Sequence, residues 1–226
     1  MGVITEEFDF LIDNTEDNST FIDDSNEMIK RALEFIDQAR KYPNRTKQGI
    51  QLSNIVDCIT IGKSDIYNEE HVIFTLNVNK LKDVSNGRLI EFEVPSFVEE
   101  LKSIGYEDGN EFGYNQSHRN YLKTIVIPKN LKIIAPNTFA FYKNLENIIF
   151  EDSCKLLYIG SQAFACCSKL HSVNFQKCTE LEDIPNDIFD GSNIEVLKLP
   201  DGFNYNMQNT EIKTIYIGKE KYNTMG

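Results

Sequence analysis

One phrase recurs through the C-terminal half of this 226-residue chain and constrains its fold more than any other feature. Each copy has an apolar residue, followed by further apolar residues three and five positions later. The copies begin at Leu122, Leu145, Leu170, Ile194 and Ile212, which are 23, 25, 24 and 18 residues apart. Because successive side chains of a strand point to opposite faces, apolar residues two positions apart predict a short strand with one buried face. The sequence therefore predicts five short strands at a nearly constant interval.

The rest of each unit repeats as well. A second apolar pair follows the strand in three units, at Leu131/Ile134, Leu156/Ile159 and Leu181/Ile184. A phenylalanine comes next, at Phe139, Phe164 and Phe189. One unit of this size cannot bury its own apolar edge, whereas units stacked about 4.8 Å apart share a continuous sheet and core. The predicted fold is therefore an α/β repeat solenoid, a short stack of units that exposes one strand face.

The most regular stretch of the repeat is YIGSQAFACCSKL, which runs from Tyr158 to Leu170. Its pattern resembles the BspA-type (treponemal-type) leucine-rich repeat, and the unit lengths suit the range of about 20–29 residues. The resemblance covers about residues 122–219, with Cys167 at the family's usual cysteine position. Tyr142 and Ser192 replace that cysteine in the neighbouring units. The resemblance implies a leucine-rich-repeat stack and, since many such proteins are surface-attached, makes a surface adhesin one alternative.

The N-terminal half, residues 1–118, lacks so regular a pattern, and the repeat stack is assigned to residues 119–226. A helix is predicted to begin at Asp24 and to end before Pro43, which cannot continue it. Its apolar residues recur at helical spacing, at Met28, Ala32, Phe35, Ile36 and Ala39. This apolar stripe must cover something, and the uncapped first unit of the stack is the natural candidate.

Three weaker phrases follow this helix, beginning at Val56, Ile73 and Leu89. Their spacing of 16–17 residues is short for a leucine-rich repeat. They are predicted to be strands, either degenerate repeats that extend the same sheet or a small α+β domain. The stretch SFVEELKSIG, residues 96–105, is predicted to be a short helix, and residues 106–117 a loop or linker.

Charge and cysteine content narrow the class of function. The net charge of −12 disfavours nucleic acid and anionic membranes as partners. No apolar run is long enough to span a membrane, and the acidic start lacks the basic region of a secretory signal. The five cysteines are odd in number and two are adjacent, which predicts reduced thiols and a cytoplasmic protein.

Motifs that would carry chemistry are weak. The glycines 105, 109 and 113 are surrounded by acidic residues that would repel phosphate, and no Walker-type lysine follows them. Cys166, Cys167, His171 and Cys178 follow the repeat rather than zinc-ligand spacing. The acidic residues of segment 13–24 lack the glycine and the final glutamate of a calcium loop. No cofactor, metal site or catalytic residue is therefore predicted, and the chain is not expected to be an enzyme.

A repeat stack places regularly spaced side chains on its strand face, so function is expected there. The predicted partner-binding residues are Val126, Ile149, Glu151, Asn174, Lys198 and Tyr216, with Tyr205 in a second contact loop. The predicted function is a non-catalytic protein-interaction module, and the acidity favours a protein partner with a basic surface, which the module would inhibit. The alternatives are a surface adhesin and a ligand-binding or enzymatic domain at residues 1–118, with the repeats used for targeting.

Overall fold

The computed structural model describes residues 24–42, 45–46, 49–78, 80–81, 88–103, 121–205 and 212–223. The calcium-like segment before residue 24, the glycine-rich loop and predicted linker at 104–120, and residues 206–211 lie outside these ranges. Helix α1 spans Asp24–Lys41, and α2 spans Leu52–Val56. The strands are β1 Ile59–Lys63, β2 Glu70–Leu76, β3 Glu91–Glu93, β4 Glu100–Ser103, β5 Thr124–Ile127, β6 Ile133–Ile134, β7 Asn147–Phe150, β8 Tyr158–Ile159, β9 Ser172–Asn174, β10 Val196–Leu199, β11 Thr214–Ile217 and β12 Glu220–Asn223.

The five predicted repeat strands are confirmed as β5, β7, β9, β10 and β11. They lie in two front sheets, one of order β3-β5-β7 and one of order β12-β11-β10-β9. All pairings within these sheets are parallel except that of β11 with β12. In the first sheet Phe92, Ile125 and Ile148 lie opposite one another, and in the second Val173, Leu197 and Ile215 do so. Each row faces the core, so equivalent residues of successive units share one buried line within each sheet.

A third sheet, of order β1-β2-β4-β6-β8, lies behind the front strands, and we call it the back sheet. The apolar pair that follows each front strand supplies β6 and β8, and Leu101, Ile134 and Ile159 lie in register. In the third unit Leu181 and Ile184 are equally buried but lie in irregular backbone. The second pair therefore fills the core in three units and adds a strand in two of them.

Residues 88–103 extend both sheets of the repeat, because β3 pairs with β5 and β4 pairs with β6. The phrase beginning at Leu89 thus continues the repeat sheet, while the two earlier phrases contribute the antiparallel pair β1–β2. These pairings cross the position proposed as the boundary between residues 1–118 and 119–226, and that division into domains stays a prediction.

The short helix predicted for residues 96–105 is wrong over its described residues 96–103, where the chain forms a turn followed by β4. The reason is tertiary. The backbone N–H of Glu99 donates to Val72 O at 2.9 Å, and Glu99 O accepts from Lys132 N at 2.8 Å. The buried carboxylate of Glu99 accepts from Val72 N at 3.2 Å and lies 3.0 Å from Lys132 Nζ. Contacts with strands on both sides outweigh the weak local helix preference.

Helix α1 packs on β2 and on the turn between β3 and β4, and whether its apolar stripe also covers the unit that begins at Leu122 stays a prediction. Met28, Ala32, Phe35 and Ala39 are buried, and Ile36 is half-buried. The ring of Phe35 lies 5.3 Å from that of Phe97, in the turn between β3 and β4. Arg31 Nη2 donates a hydrogen bond to Ser96 Oγ in the same turn at 3.0 Å. The helix therefore buries its apolar stripe against the strands that precede the predicted repeat stack.

The back turns of the units are held together by a column of aromatic rings. Phe139 and Phe164 stack with centroids 5.3 Å apart and planes only 5° from parallel, and Phe189 continues the column 5.9 Å from Phe164. Backbone bonds accompany the rings, because Phe139 N donates to Ala163 O and Phe164 N donates to Ile188 O. The phenylalanine at each back turn thus fills the rear of the core, as the sequence predicts.

The family's cysteine position joins neighbouring units through a side-chain hydrogen bond. Cys167 Sγ donates to Phe139 O at 3.1 Å, and burial raises the pKa of the Cys167 thiol to about 12, which keeps it a donor. At the equivalent place in the next unit, Ser192 Oγ donates to Phe164 O at 2.6 Å. The serine therefore preserves the contact that the cysteine makes.

Candidate protein-binding face

The outward side chains of the front strands form two columns, which we call the strand face. The first column is Thr124, Asn147, Ser172, Val196 and Thr214, and the second is Val126, Ile149, Asn174, Lys198 and Tyr216. Burial alternates along β7, where Ile149 is 46% exposed and the adjacent Ile148 only 8%. Strand alternation thus separates a core side from a solvent side in each front strand, and the five predicted partner-binding residues of the second column lie on the solvent side.

Val126 and Ile149 form the apolar part of the strand face. They lie directly opposite each other on β5 and β7, which places their side chains in contact distance. Val126 is half-buried and Ile149 exposed. Glu151 follows β7, and its carboxylate accepts a hydrogen bond from Lys129 N at 2.8 Å. Glu151 therefore also holds the turn after β5, in addition to the contact role predicted for it.

The remaining part of the second column is polar and aromatic. Lys198 Nζ lies 5.7 Å from the centroid of the Tyr216 ring, a cation–π contact that restrains both side chains. Asn174 Oδ1 accepts a hydrogen bond from Gln176 N at 3.0 Å, so this amide also closes the turn after β9. Lys221 of β12 lies opposite Tyr216 and adds a cation beside the aromatic ring.

Lys221 is absent from the predicted site because β12 was not anticipated. The signal for this strand was the segment Glu220–Asn223 directly after Gly218, whose φ of 58° permits a tight hairpin turn. Tyr205, like Glu151, is a predicted contact residue that lies outside the strands. Tyr205 is half-buried and packs against the core, and residues 206–210 of the contact loop predicted around it lie outside the described residues.

A depression of about 310 Å³ lies where the two front sheets meet. It is lined by Glu146, Lys169, His171 and Ser172. His171 Nδ1 lies 3.3 Å from Asn193 O, which orients the exposed ring. We call the junction of β7 with β9 the seam, because the two strands belong to different sheets.

The N-terminal sheet contains a buried acid–imidazole pair. His71 and Glu100 are 1% and 2% exposed, with His71 Nδ1 3.9 Å from Glu100 Oε2. Burial raises the pKa of Glu100, but the adjacent His71 ring and Ser64 hydroxyl outweigh burial and leave it below its usual value. Both side chains are shielded from solvent in this conformation, so the pair is not open to a substrate.

Within the described segments, no group of three or more His, Cys, Asp or Glu side chains is placed to hold a metal ion. The same segments contain no helix with the length and apolar character needed to cross a bilayer.

Comparison with known proteins identifies the repeat. The family model described as "BspA type Leucine rich repeat region" matches residues 110–224 in six copies. The crystal structure of the T. pallidum leucine-rich repeat protein is similar over 64% of this chain and 70% of that one, with 17% identity and a TM-score of 0.41. No curated protein shows significant similarity. Since the family match covers half of the sequence, the chain belongs to the BspA-type leucine-rich repeat family.

Proposed function

We propose that this protein is a non-catalytic interaction module whose stacked units form a short solenoid and whose strand face binds a protein partner. Leucine-rich repeat domains generally mediate protein–protein interaction. The observation that supports the choice of face is the pairing of Val126 with Ile149 on adjacent strands, with Ile149 46% exposed. When a partner covers this exposed isoleucine and its branched apolar neighbour, the free energy of binding becomes more favourable by about 25 cal/mol for each Å² of apolar surface buried.

Tyr216 supplies the second anchor of the proposed interface. Aromatic side chains carry a large share of binding energy at protein interfaces, because they bury much area at little entropic cost. The contact between Lys198 and Tyr216 restrains the ring before any partner arrives. The proposed interface thus has an apolar anchor on one side of the seam and an aromatic anchor on the other.

Charge suggests the finer proposal, a partner with a basic surface that this protein inhibits by covering it. Three acidic residues are exposed on the segment after β9, at Glu180, Glu182 and Asp183. Lys198 lies on the strand face and Lys221 on the adjacent strand β12, so attraction to a basic partner would come from this acidic segment and from the net charge of −12. Association should then slow as salt screens these charges.

The test is affinity capture from the native cell, followed by binding measurements with the purified partner. Wild type is compared with Ile149→Glu and with Leu33→Glu, a control that replaces another exposed aliphatic residue by Glu at a 53% exposed position on α1. We expect Ile149→Glu to weaken binding at least about tenfold and Leu33→Glu to leave it unchanged. Equal binding by Ile149→Glu and wild type would refute the proposed face. The predicted cytoplasmic location is checked in the same cells by fractionation.

A further inference from the structure

Two lysines and a tyrosine form one row across the second front sheet, on its solvent side. Lys198 of β10 lies opposite Tyr216 of β11, and Tyr216 lies opposite Lys221 of β12. The adjacent Ile215 is buried in the core, so strand alternation places these three side chains outward. We call Lys198, Tyr216 and Lys221 the lysine row. Because neighbouring strands are about 4.8 Å apart, the two lysines are about 10 Å apart, one on each side of the ring.

Contacts within the sheet hold the row in place. Lys198 Nζ lies 5.7 Å from the centroid of the Tyr216 ring. The hairpin that joins β11 to β12 is tied to the segment after β9, because Gln176 Nε2 donates a hydrogen bond to Gly218 O at 2.5 Å. The ring and the backbone that carries Lys221 are therefore positioned before a ligand arrives, which lowers the entropic cost of binding.

Neither ammonium group of the row is neutralised by a salt bridge within the part of the chain that the structure describes. By contrast, Lys213, directly before β11, pairs with Glu195 at 2.7 Å. Glu220 is adjacent to Lys221 but points to the opposite side of β12, where its carboxylate accepts a hydrogen bond from Tyr222 at 2.6 Å. The two lysines of the row can therefore bind an anion without first losing a carboxylate partner.

The solvent side of this sheet is locally positive, although the chain as a whole has a net charge of −12. Its eight outward positions are Ser172, Asn174, Val196, Lys198, Thr214, Tyr216, Lys221 and Asn223. Two of them are cations, and none is Asp or Glu. Salt screens exposed charges beyond about 8 Å at physiological ionic strength, so a group in contact with the row responds mainly to these two cations.

We propose that the lysine row binds an acidic segment of the protein partner, with one carboxylate on Lys198, a second on Lys221, and the chain between them packed on the Tyr216 ring. This inference rests on the proposed function, because it names what the partner presents to one half of the strand face. A long polyanion such as nucleic acid would be repelled by the net charge of −12, whereas a short acidic segment contacts only the locally positive sheet. The net charge attracts a basic partner over distance, and the row then fixes its orientation.

The distance between the two lysines specifies the spacing of the carboxylates. Three residues of a polyproline II helix advance about 9.3 Å and return the side chain to the same face. Two glutamates three positions apart, with prolines between them, therefore reach both ammonium groups at once. The prolines lie on the Tyr216 ring, since aromatic side chains line the grooves that bind such segments. Adjacent glutamates reach only one of the two lysines.

The test measures the binding of two fluorescein-labelled peptides to the full-length protein by fluorescence anisotropy. The peptides Gly-Glu-Pro-Pro-Glu-Gly and Gly-Pro-Glu-Glu-Pro-Gly have the same composition and charge but different carboxylate spacing. We expect the first to bind about fivefold more tightly, because it forms one more ion pair. Lys198→Gln and Lys221→Gln should each weaken its binding about fivefold. Lys63→Gln, the same change of charge at an exposed position in the back sheet, should leave it unchanged.

Equal binding of the two peptides, or unchanged binding by both variants of the row, would overturn the proposal. Tighter binding of Gly-Lys-Pro-Pro-Lys-Gly or of an eight-nucleotide oligothymidylate would also overturn it, because the row would then not select an acidic protein segment. Ile149→Glu separates this result from the proposed function, since Ile149 lies across the seam and its replacement should leave peptide binding unchanged. If the captured partner is lost with Ile149→Glu but retained with Lys221→Gln, the strand face binds the partner and the role of the row is refuted.

Discussion

Replacement of Phe164 by Ala should lower the free energy of unfolding by about 4 kcal/mol. The ring is fully buried and touches three other rings, those of Phe139, Phe175 and Phe189. Its removal leaves a cavity in the middle of the aromatic column, where the units on either side are held by backbone hydrogen bonds and cannot collapse to fill it. Urea unfolding followed by circular dichroism measures the loss.

Phe189→Ala is the matched control for this prediction. Phe189 ends the described column, is only half-buried and stacks on a single ring neighbour of the column, Phe164. Its loss should cost less than half as much as that of Phe164, because less area is buried and water can enter the space. Equal losses at the two positions would show that the aromatic column does not join the units as described.

Gly160→Ala is expected to destabilise the protein by about 3 kcal/mol or to prevent folding. A Cβ at this position would lie 2.3 Å from Pro136 N and 2.5 Å from Pro136 Cδ, both in the preceding unit. Since Gly160 N also donates to Ile134 O at 2.8 Å, the backbone cannot move away without breaking the ladder between β6 and β8. The same unfolding measurement tests this prediction.

Gly62→Ala adds the same methyl group where no heavy atom lies within 4 Å. This control lies in β1 and should change the free energy of unfolding by less than about 0.5 kcal/mol. If Gly160→Ala were as harmless as Gly62→Ala, the close approach of neighbouring units at the back turn would be contradicted.

The front strands could be predicted from sequence because their information is local. Alternation of apolar and polar residues fixes which side chains of a strand are buried, and the repeat interval fixes which residues become neighbours. Ile125 and Ile148 therefore fall opposite each other, and so do Val173 and Leu197. The phenylalanine column follows from the same interval, since equivalent residues stack.

Features that depend on contacts between distant residues could not be predicted in this way. The local sequence of Glu100–Ser103 favours a helix. The segment nevertheless forms a strand, because Glu99 forms an ion pair with Lys132 and bonds to the neighbouring strands. The seam between β7 and β9 also has no sequence signature, because both strands match the repeat.

The candidate site likewise has features that could be predicted from sequence and features that could not. The outward position of Ile149 and Tyr216 follows from alternation, whereas the contact of Lys198 with Tyr216 and the engagement of Glu151 by Lys129 depend on tertiary geometry. Whether these residues bind a partner stays a prediction. The proposed binding face requires that the units on the two sides of the seam form one continuous stack.

A distance measurement across the seam tests that stacking most directly. Spin labels at Thr124→Cys on β5 and Thr214→Cys on β11, in a Cys166→Ser background that leaves only buried native thiols, report the separation by pulsed electron paramagnetic resonance. Stacked units place these residues four strand spacings apart, about 19 Å between backbones, with a single narrow distribution. A broad distribution, or one centred beyond about 35 Å, would contradict the stack and with it the proposed binding face.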